Sequence, residues 1–307
     1  MSPQTSSDAK LVAQLFQHIS TGPQNGGGLQ CTYDKQGYLS HLFLSNLSLT
    51  QVPAELSQFS QLQVLHLSNN YLTHIPIEIS HLSHLRQLEL SNNRLTHIPA
   101  ELGLLSHLQI LELSGNRLTH IPEELGLLSH LWQLELSDNC LTHIPAELGL
   151  METLNTLNLS LNQLRQIPAE LGHLTALRWL IMHDNELTHL PDEIFGQLTA
   201  LRALNLTNNR LTRAPASLGL LSQLEYLDLA GNQLTHIPGE LSQLSRLRRL
   251  DLSRNYLNSI PTELGQLPHL QILELADNPN LQNPPPDVVA EGDKASLAYL
   301  RRFLIQG

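Results

Sequence analysis

The strongest constraint on this chain is a spacing. The pattern LxxLxLxxNxL begins at Leu39, Leu62, Leu85, Leu108, Leu131, Leu154, Leu177, Leu201, Leu224, Leu247 and Leu270, in steps of 23 residues with a single step of 24 between Leu177 and Leu201. One match would mean little. Eleven in register require a chain that stacks one small unit on the next, because a unit of that length cannot bury its own apolar face. Composition agrees: hydrophobic residues make up 41% of the chain and aromatic residues only 4%. The core is therefore built of leucine and isoleucine rather than of rings.

The columns of the repeat can be read physically. In LxL the side chains alternate, so Leu111 and Leu113 turn inward and Glu112 turns outward from a short strand. The asparagine at the ninth position (Asn70, Asn93, Asn116, Asn139, Asn162, Asn185, Asn209, Asn232, Asn255, Asn278) can bond the unpaired backbone groups of the turn that follows. Leu47 takes that place in the first repeat, which is thereby atypical. A proline then recurs at Pro53, Pro76, Pro99, Pro122, Pro145, Pro168, Pro191, Pro215, Pro238 and Pro261. It fixes φ and removes a donor, which favours an extended or single-turn segment over a full helix. Eleven parallel strands spaced ~4.8 Å apart make a sheet roughly 50 Å along its axis, with the strand side concave.

These residues, from about Tyr38 to Leu281, resemble the leucine-rich-repeat family. The second half of each unit, as in LTHIPAELGLLSHL, is similar to the typical intracellular type found in animals and bacteria. The resemblance implies an α/β repeat solenoid, a horseshoe with a parallel concave sheet and an extended or 3-10 convex side. Such a stack needs a cap at each open end. Residues 1–37 are expected to supply the first: a helix with Leu11, Val12, Leu15, Phe16 and Ile19 on one face behind Ser7 or Asp8 as N-cap, a Gly-rich connector over Thr21–Gly28, and a hairpin turning at DKQG with Cys31 in its strand. The eleven repeats occupy residues 38–281. Residues 282–307 are expected to close the stack after a proline run, with Ala295, Leu297, Ala298, Leu300 and Leu304 on a helix. This last segment resembles the one that follows the repeats in Roco-type proteins, but no GxxxxGK[ST] is present, so that family's nucleotide chemistry is not implied here.

Charge and cysteine content exclude several functions. Acidic residues number 28 against 17 Lys plus Arg, giving a formal charge of −11, which argues against a nucleic-acid partner because phosphate binding needs a basic stripe. The 16 histidines make that charge sensitive to pH around ~6.5. Cys31 and Cys140 match no metal or redox spacing. The sequence shows neither a secretory signal nor an apolar run of about 18 residues. A cytoplasmic monomer is expected, with delivery into a host cell by a non-classical route as the alternative. No catalytic or cofactor motif is present.

Function is expected on the concave positions that break the repeat. Glu89, Glu112, Glu135, Asp228, Asp251 and Glu274 share the outward mid-strand position. Neighbouring like charges ~5 Å apart repel by about 0.8 kcal/mol even in water, a cost that suggests a basic protein partner. The competing reading is a solvated face balanced by Arg86, Arg94, Arg117, Arg248 and Arg249. A carboxylate dyad for glycoside or peptide hydrolysis is disfavoured, because an open sheet should offer neither a closed pocket nor an environment that splits two pKa values. Asn158, Ile181 and Asn205 interrupt the stripe, and Leu161, Trp179, His183, Asp184 and Tyr226 lie beside them, an apolar and aromatic composition suited to an interface. The extra residue falls nearby, in PDEIFGQL around Phe195 and Gly196, and should perturb the local curvature. The histidines of LTHIP (His74, His97, His120, His143, His189, His236) form a column that duplication explains more simply than a metal ladder, since metal sites need converging ligands. Trp132 and Cys140 are placed near the sheet margin, and Cys140 lacks the electropositive niche of a reactive thiol. The working expectation is a protein-interaction module, either standing alone or forming the recognition part of a larger Roco-like protein or an effector.

Overall fold

The structure, a computed structural model, describes residues 7–19 and 30–303. The connector Thr21–Gly28 and Leu304 lie outside the described residues, as do the side chains of Phe16 and Ile19. The chain divides into two compact units, Met1–Leu141 and Thr142–Gly307.

The first unit opens with α1 (Ser7–Ile19) and a hairpin of β1 (Gln30–Tyr33) and β2 (Leu39–Phe43). The structure puts Ser7 and Asp8 inside α1 rather than ahead of it. The Asp8 carboxylate, 9% exposed, accepts the backbone N–H of Leu39 at 2.8 Å, so this acid ties the cap helix to the first repeat instead of capping its own helix. Val12 and Leu15 are buried beneath it. At the DKQG turn Gly37 has φ +89° and the Asp34 carboxylate accepts the N–H groups of Gln36 and Tyr38, a geometry that glycine and aspartate both favour. Antiparallel β1 pairs with β2, and parallel strands follow in order: β3 (Val64–His66), β4 (Gln87–Glu89), β5 (Ile110–Glu112) and β6 (Gln133–Glu135).

The second unit carries six more parallel strands: β7 (Thr156–Asn158), β8 (Trp179–Ile181), β9 (Ala203–Asn205), β10 (Tyr226–Asp228), β11 (Arg249–Asp251) and β12 (Ile272–Glu274). It ends in two helices where one was expected. The short α2 (Pro286–Ala290) starts within the proline run, which supplies the fixed φ that suits a first helical turn. Then α3 (Asp293–Phe303) buries Leu297 and Leu300 against the last repeat.

The columns perform as their chemistry requires. Leu111, Leu113 and their equivalents are fully buried; truncating any one to alanine should cost about 2–5 kcal/mol. Asn93 shows the ladder: its Oδ1 accepts Leu72 N–H at 3.0 Å, and its Nδ2 donates to the Leu67 and Leu90 carbonyls at 3.0 Å. Asn93 thus joins its own turn to the preceding one, and Asn116, Asn139, Asn209 and Asn232 repeat the arrangement. After the prolines the chain makes single 3-10 turns, such as Ala100–Leu104 and Ala216–Leu220, behind Pro99 and Pro215 at φ −71° and −69°. Gly103 is required there, because a Cβ would overlap the carbonyl of Glu124 in the next repeat. The inserted residue shortens the corresponding turn to Asp192–Ile194 and buries Phe195.

Candidate functional site

The outward residues of the strands form one solvent-facing surface in each unit. In the first unit, register sets Glu89 beside Glu112 and Glu112 beside Glu135 on adjacent strands. Among the described residues no arginine or lysine pairs with any of the three. Glu89 is held by His66 Nδ1 at 3.1 Å and by the Gln87 amide at 2.6 Å, and the Gln133 amide donates to Glu112 at 3.0 Å and Glu135 at 3.2 Å. Burial, reinforced by the charges of Glu135 and Glu89, pushes the Glu112 carboxyl up to about 7. The open sheet can thus raise a carboxyl well above its usual range without a closed pocket, because the middle acid is half-buried between two like charges.

In the second unit the same positions behave differently. Arg249 reaches Asp228 at 3.3 Å, Asp251 at 3.1 Å and Glu274 at 2.9 Å. Asp251, expected to lie open on the surface, is only 9% exposed and also accepts the N–H and hydroxyl of Ser253. Burial raises the Asp228 carboxyl, with Arg249 opposing. Among the described residues, Arg249 is the one of the five arginines expected to balance the stripe that pairs with it. Arg94 instead stacks over Tyr71 at 4.4 Å and Arg248 pairs with Glu225 at 3.4 Å.

Between β7 and β10 the surface turns apolar. Leu161, Trp179 and Tyr226 are 48%, 40% and 40% exposed, and Ile181 is half-buried. Leu161 has φ +55°. Asn, Asp or Gly fills this left-handed position in most repeats, and leucine there costs about 1–2 kcal/mol. His183 lies 2.7 Å from Asp184, which also accepts the Asn208 amide at 2.8 Å. Burial alone would raise the Asp184 carboxyl; the bonds from Asn208 and His183 hold it below its usual range.

Three features escaped the sequence reading. In the first unit Phe43 and His66 meet edge to face at 4.7 Å, where the mid-strand position carries rings in place of acids. The histidines that stack are those of SHL: His84, His107 and His130 lie 6.2 and 6.1 Å apart, their Nδ1 groups directed at the carbonyls of Ser60, Ser83 and Ser106. This second column recurs at 23 residues and was visible in the sequence. In the LTHIP column the Nδ1 groups of His74, His97, His120, His143, His189 and His236 each bond the preceding threonine hydroxyl. Among the described residues no group of three or more His, Cys, Asp or Glu converges on a metal position. The third feature is an arginine row beside Trp179, formed by Arg178 and Arg202 one step before the strand residues. No described helix is long and apolar enough to cross a membrane.

Comparison with known proteins agrees with this architecture. Residues 40–186 match a model of a leucine-rich repeat region, and residues 176–234 and 222–279 match a leucine rich repeat model. A leucine-rich-repeat protein of Leptospira interrogans is 31% identical with a TM-score of 0.70, over 79% of this chain and 76% of that one. The chain belongs to the leucine-rich-repeat family. Within it, the ectodomain of an Arabidopsis thaliana membrane receptor kinase, solved in complex with Casparian strip integrity factor 2, is 38% identical with a TM-score of 0.73, over 82% of this chain and 33% of that one. Toll of Drosophila, solved in complex with Spatzle, is 26% identical with a TM-score of 0.70, over 79% and 33%. The chain thus spans about a third of each of these two. No curated protein matches it by sequence.

Proposed function

We propose that this chain is a protein-interaction module whose strand surface binds a partner protein, and that in the first unit the partner delivers a cationic side chain to Glu89, Glu112 and Glu135. One observation carries the reading. Arg249 sits two residues before Asp251 on the middle strand of its acidic trio and bonds all three carboxylates. Ile110 occupies the equivalent place in the first unit, two residues before Glu112. The first trio therefore lacks the cation that the second contains, and pays for its absence with a half-buried, proton-retaining acid. A partner's guanidinium over Glu112 restores the missing charge and gains bidentate hydrogen bonds. Partner-bound relatives in the family, the plant receptor ectodomain and Toll, support a binding role for the scaffold.

The test is affinity capture from cell lysate with the full chain, an Ile110→Arg variant, and a Glu112→Lys/Glu135→Lys variant. Both variants should lose the same captured protein at least tenfold while keeping the native circular dichroism spectrum. Undiminished capture by Ile110→Arg would overturn the reading.

A further inference from the structure

Trp179, Ala203 and Tyr226 occupy one register line on β8, β9 and β10. Two exposed rings therefore stand on either side of an alanine, two strand spacings or ~9.6 Å apart at their backbones. Strand side chains project roughly perpendicular to the sheet, so the small alanine floors a gap, or slot, between the two rings. A third ring placed over Ala203 lies ~4.8 Å from each of them, inside the roughly 4.5–7 Å range of favourable aromatic pairs. An aliphatic side chain fills the same gap with fewer contacts.

The residues one step earlier on the same strands set the charge of the slot's rim. Arg178, Arg202, Glu225 and Arg248 follow one another there, three cations to one acid. Glu225 is shared by Arg202 at 3.7 Å and Arg248 at 3.4 Å, and Arg178 is exposed with no ion pair among the described residues. The rim thus carries surplus positive charge in a chain whose total is −11.

We infer that this surface of the second unit receives an extended protein segment that places an aromatic side chain between Trp179 and Tyr226 and an adjacent acidic residue on Arg178 and Arg202. Rings beside arginines also suit a nucleobase and its phosphate. The opposite side of the slot decides between them: Asp184 stands there, held as a carboxylate by Asn208 and His183, a charge that repels a continuous phosphate backbone but tolerates the N–H groups of a peptide. This inference rests on the reading that the strand surface binds protein, but it concerns different residues and the opposite partner charge, so either can fail alone.

The probe is a phage-displayed library of random linear dodecapeptides panned on the full chain, with dT12 as a nucleic-acid competitor. Enriched peptides should carry Trp, Tyr or Phe within two residues of Asp or Glu. Their affinity should fall at least tenfold with Trp179→Ala and with Ala203→Arg, the second filling the slot without removing either ring. Arg178→Glu/Arg202→Glu should switch the acidic preference to Lys or Arg. Ile110→Arg in the first unit should leave these peptides bound, and this separates the inference from the proposal above. No enrichment, enrichment indifferent to Ala203→Arg, enrichment without the acidic residue, or displacement by dT12 at equal concentration would each overturn it.

Discussion

Glu89–Glu112–Glu135 and Asp228–Asp251–Glu274 are the same feature of the same repeat in two units, and they have opposite physical outcomes. Both set three carboxylates on adjacent strands in identical register. In the second unit one guanidinium fork binds all three, and the middle acid can then be buried to 9% exposure with Ser253 as an added donor. In the first unit glutamine amides and His66 supply dipoles but no fixed cation, and the middle acid answers by holding its proton up to about pH 7. The difference turns on one side chain, Arg249 against Ile110. Acidic columns are therefore poor evidence of recognition until their internal counter-ions have been found. The column that lacks them is the one left with free energy to gain from a partner.

Replacing Arg249 should break the comparison most severely. Arg249→Met leaves Asp251 buried beside two other carboxylates, and removing the cation of this part-buried ion network costs about 2 kcal/mol after allowance for solvent screening at its exposed members. Urea denaturation read by circular dichroism should show a lower midpoint with an unchanged slope. Arg249→Lys should recover only part of the loss, since an ammonium cannot bridge three acids with a planar fork. A midpoint within error of wild type would mean that the second trio is solvated rather than internally neutralised.

The reverse exchange sharpens the contrast. Ile110→Arg should make the first trio resemble the second, adding about 1 kcal/mol at pH 8, the gain being limited by solvent screening at half-exposed acids. Carboxyl carbon NMR should show the Glu112 titration moving from about 7 toward the ordinary glutamate range. If Glu112 titrated unchanged in that variant, the like charges of Glu89 and Glu135 could not be what a cation relieves.

What was legible beforehand follows from how far each effect reaches along the chain. Leucine, asparagine and proline columns act within one repeat and its neighbour, so a fixed period exposes them, and the strands, ladder and 3-10 turns stand where the spacing puts them. The exposed rings at Trp179 and Tyr226 were legible for the same reason: an outward position carried a residue that breaks its column. Counter-ion choice was not. Whether Arg249 or Arg86 reaches an acid depends on a side chain's path across a strand, and sequence proximity made five arginines look equivalent. Asp8 misled in the opposite direction. As a short acid at the head of a helix it matches an N-cap, yet its carboxylate reaches Leu39, 31 residues away, a contact no local pattern records. The histidines show a third limit, since two columns share one period and only geometry separates the stacked SHL set from the LTHIP set.

The smallest effect is the dependence of stability on pH. Glu112 binds its proton more tightly when folded than when unfolded, because its folded value is about 7 against an ordinary 4.5. Between those two values the folded state holds the extra proton, so this group's contribution falls as pH rises through the window and is constant above it. Glu112→Gln removes the contribution. The stability of the variant minus that of wild type should therefore grow between about pH 4.5 and 7 and level off near pH 8 at about 1 kcal/mol or less, after allowance for screening at a half-exposed site. Raising the salt concentration should shrink the part of that plateau that comes from Glu135 and Glu89, burial supplying the larger part, since charges open to solvent are screened within about 10 Å at 0.1 M. In the second unit Arg249 already faces Asp228 and Asp251, and added salt should weaken that trio instead. The first trio would thus be relieved by the same salt that loosens the second, a sign difference that two salt titrations, one on Glu112→Gln and one on Arg249→Met, can read directly. Shifts of the same sign in both would show that the two columns are not electrostatic opposites.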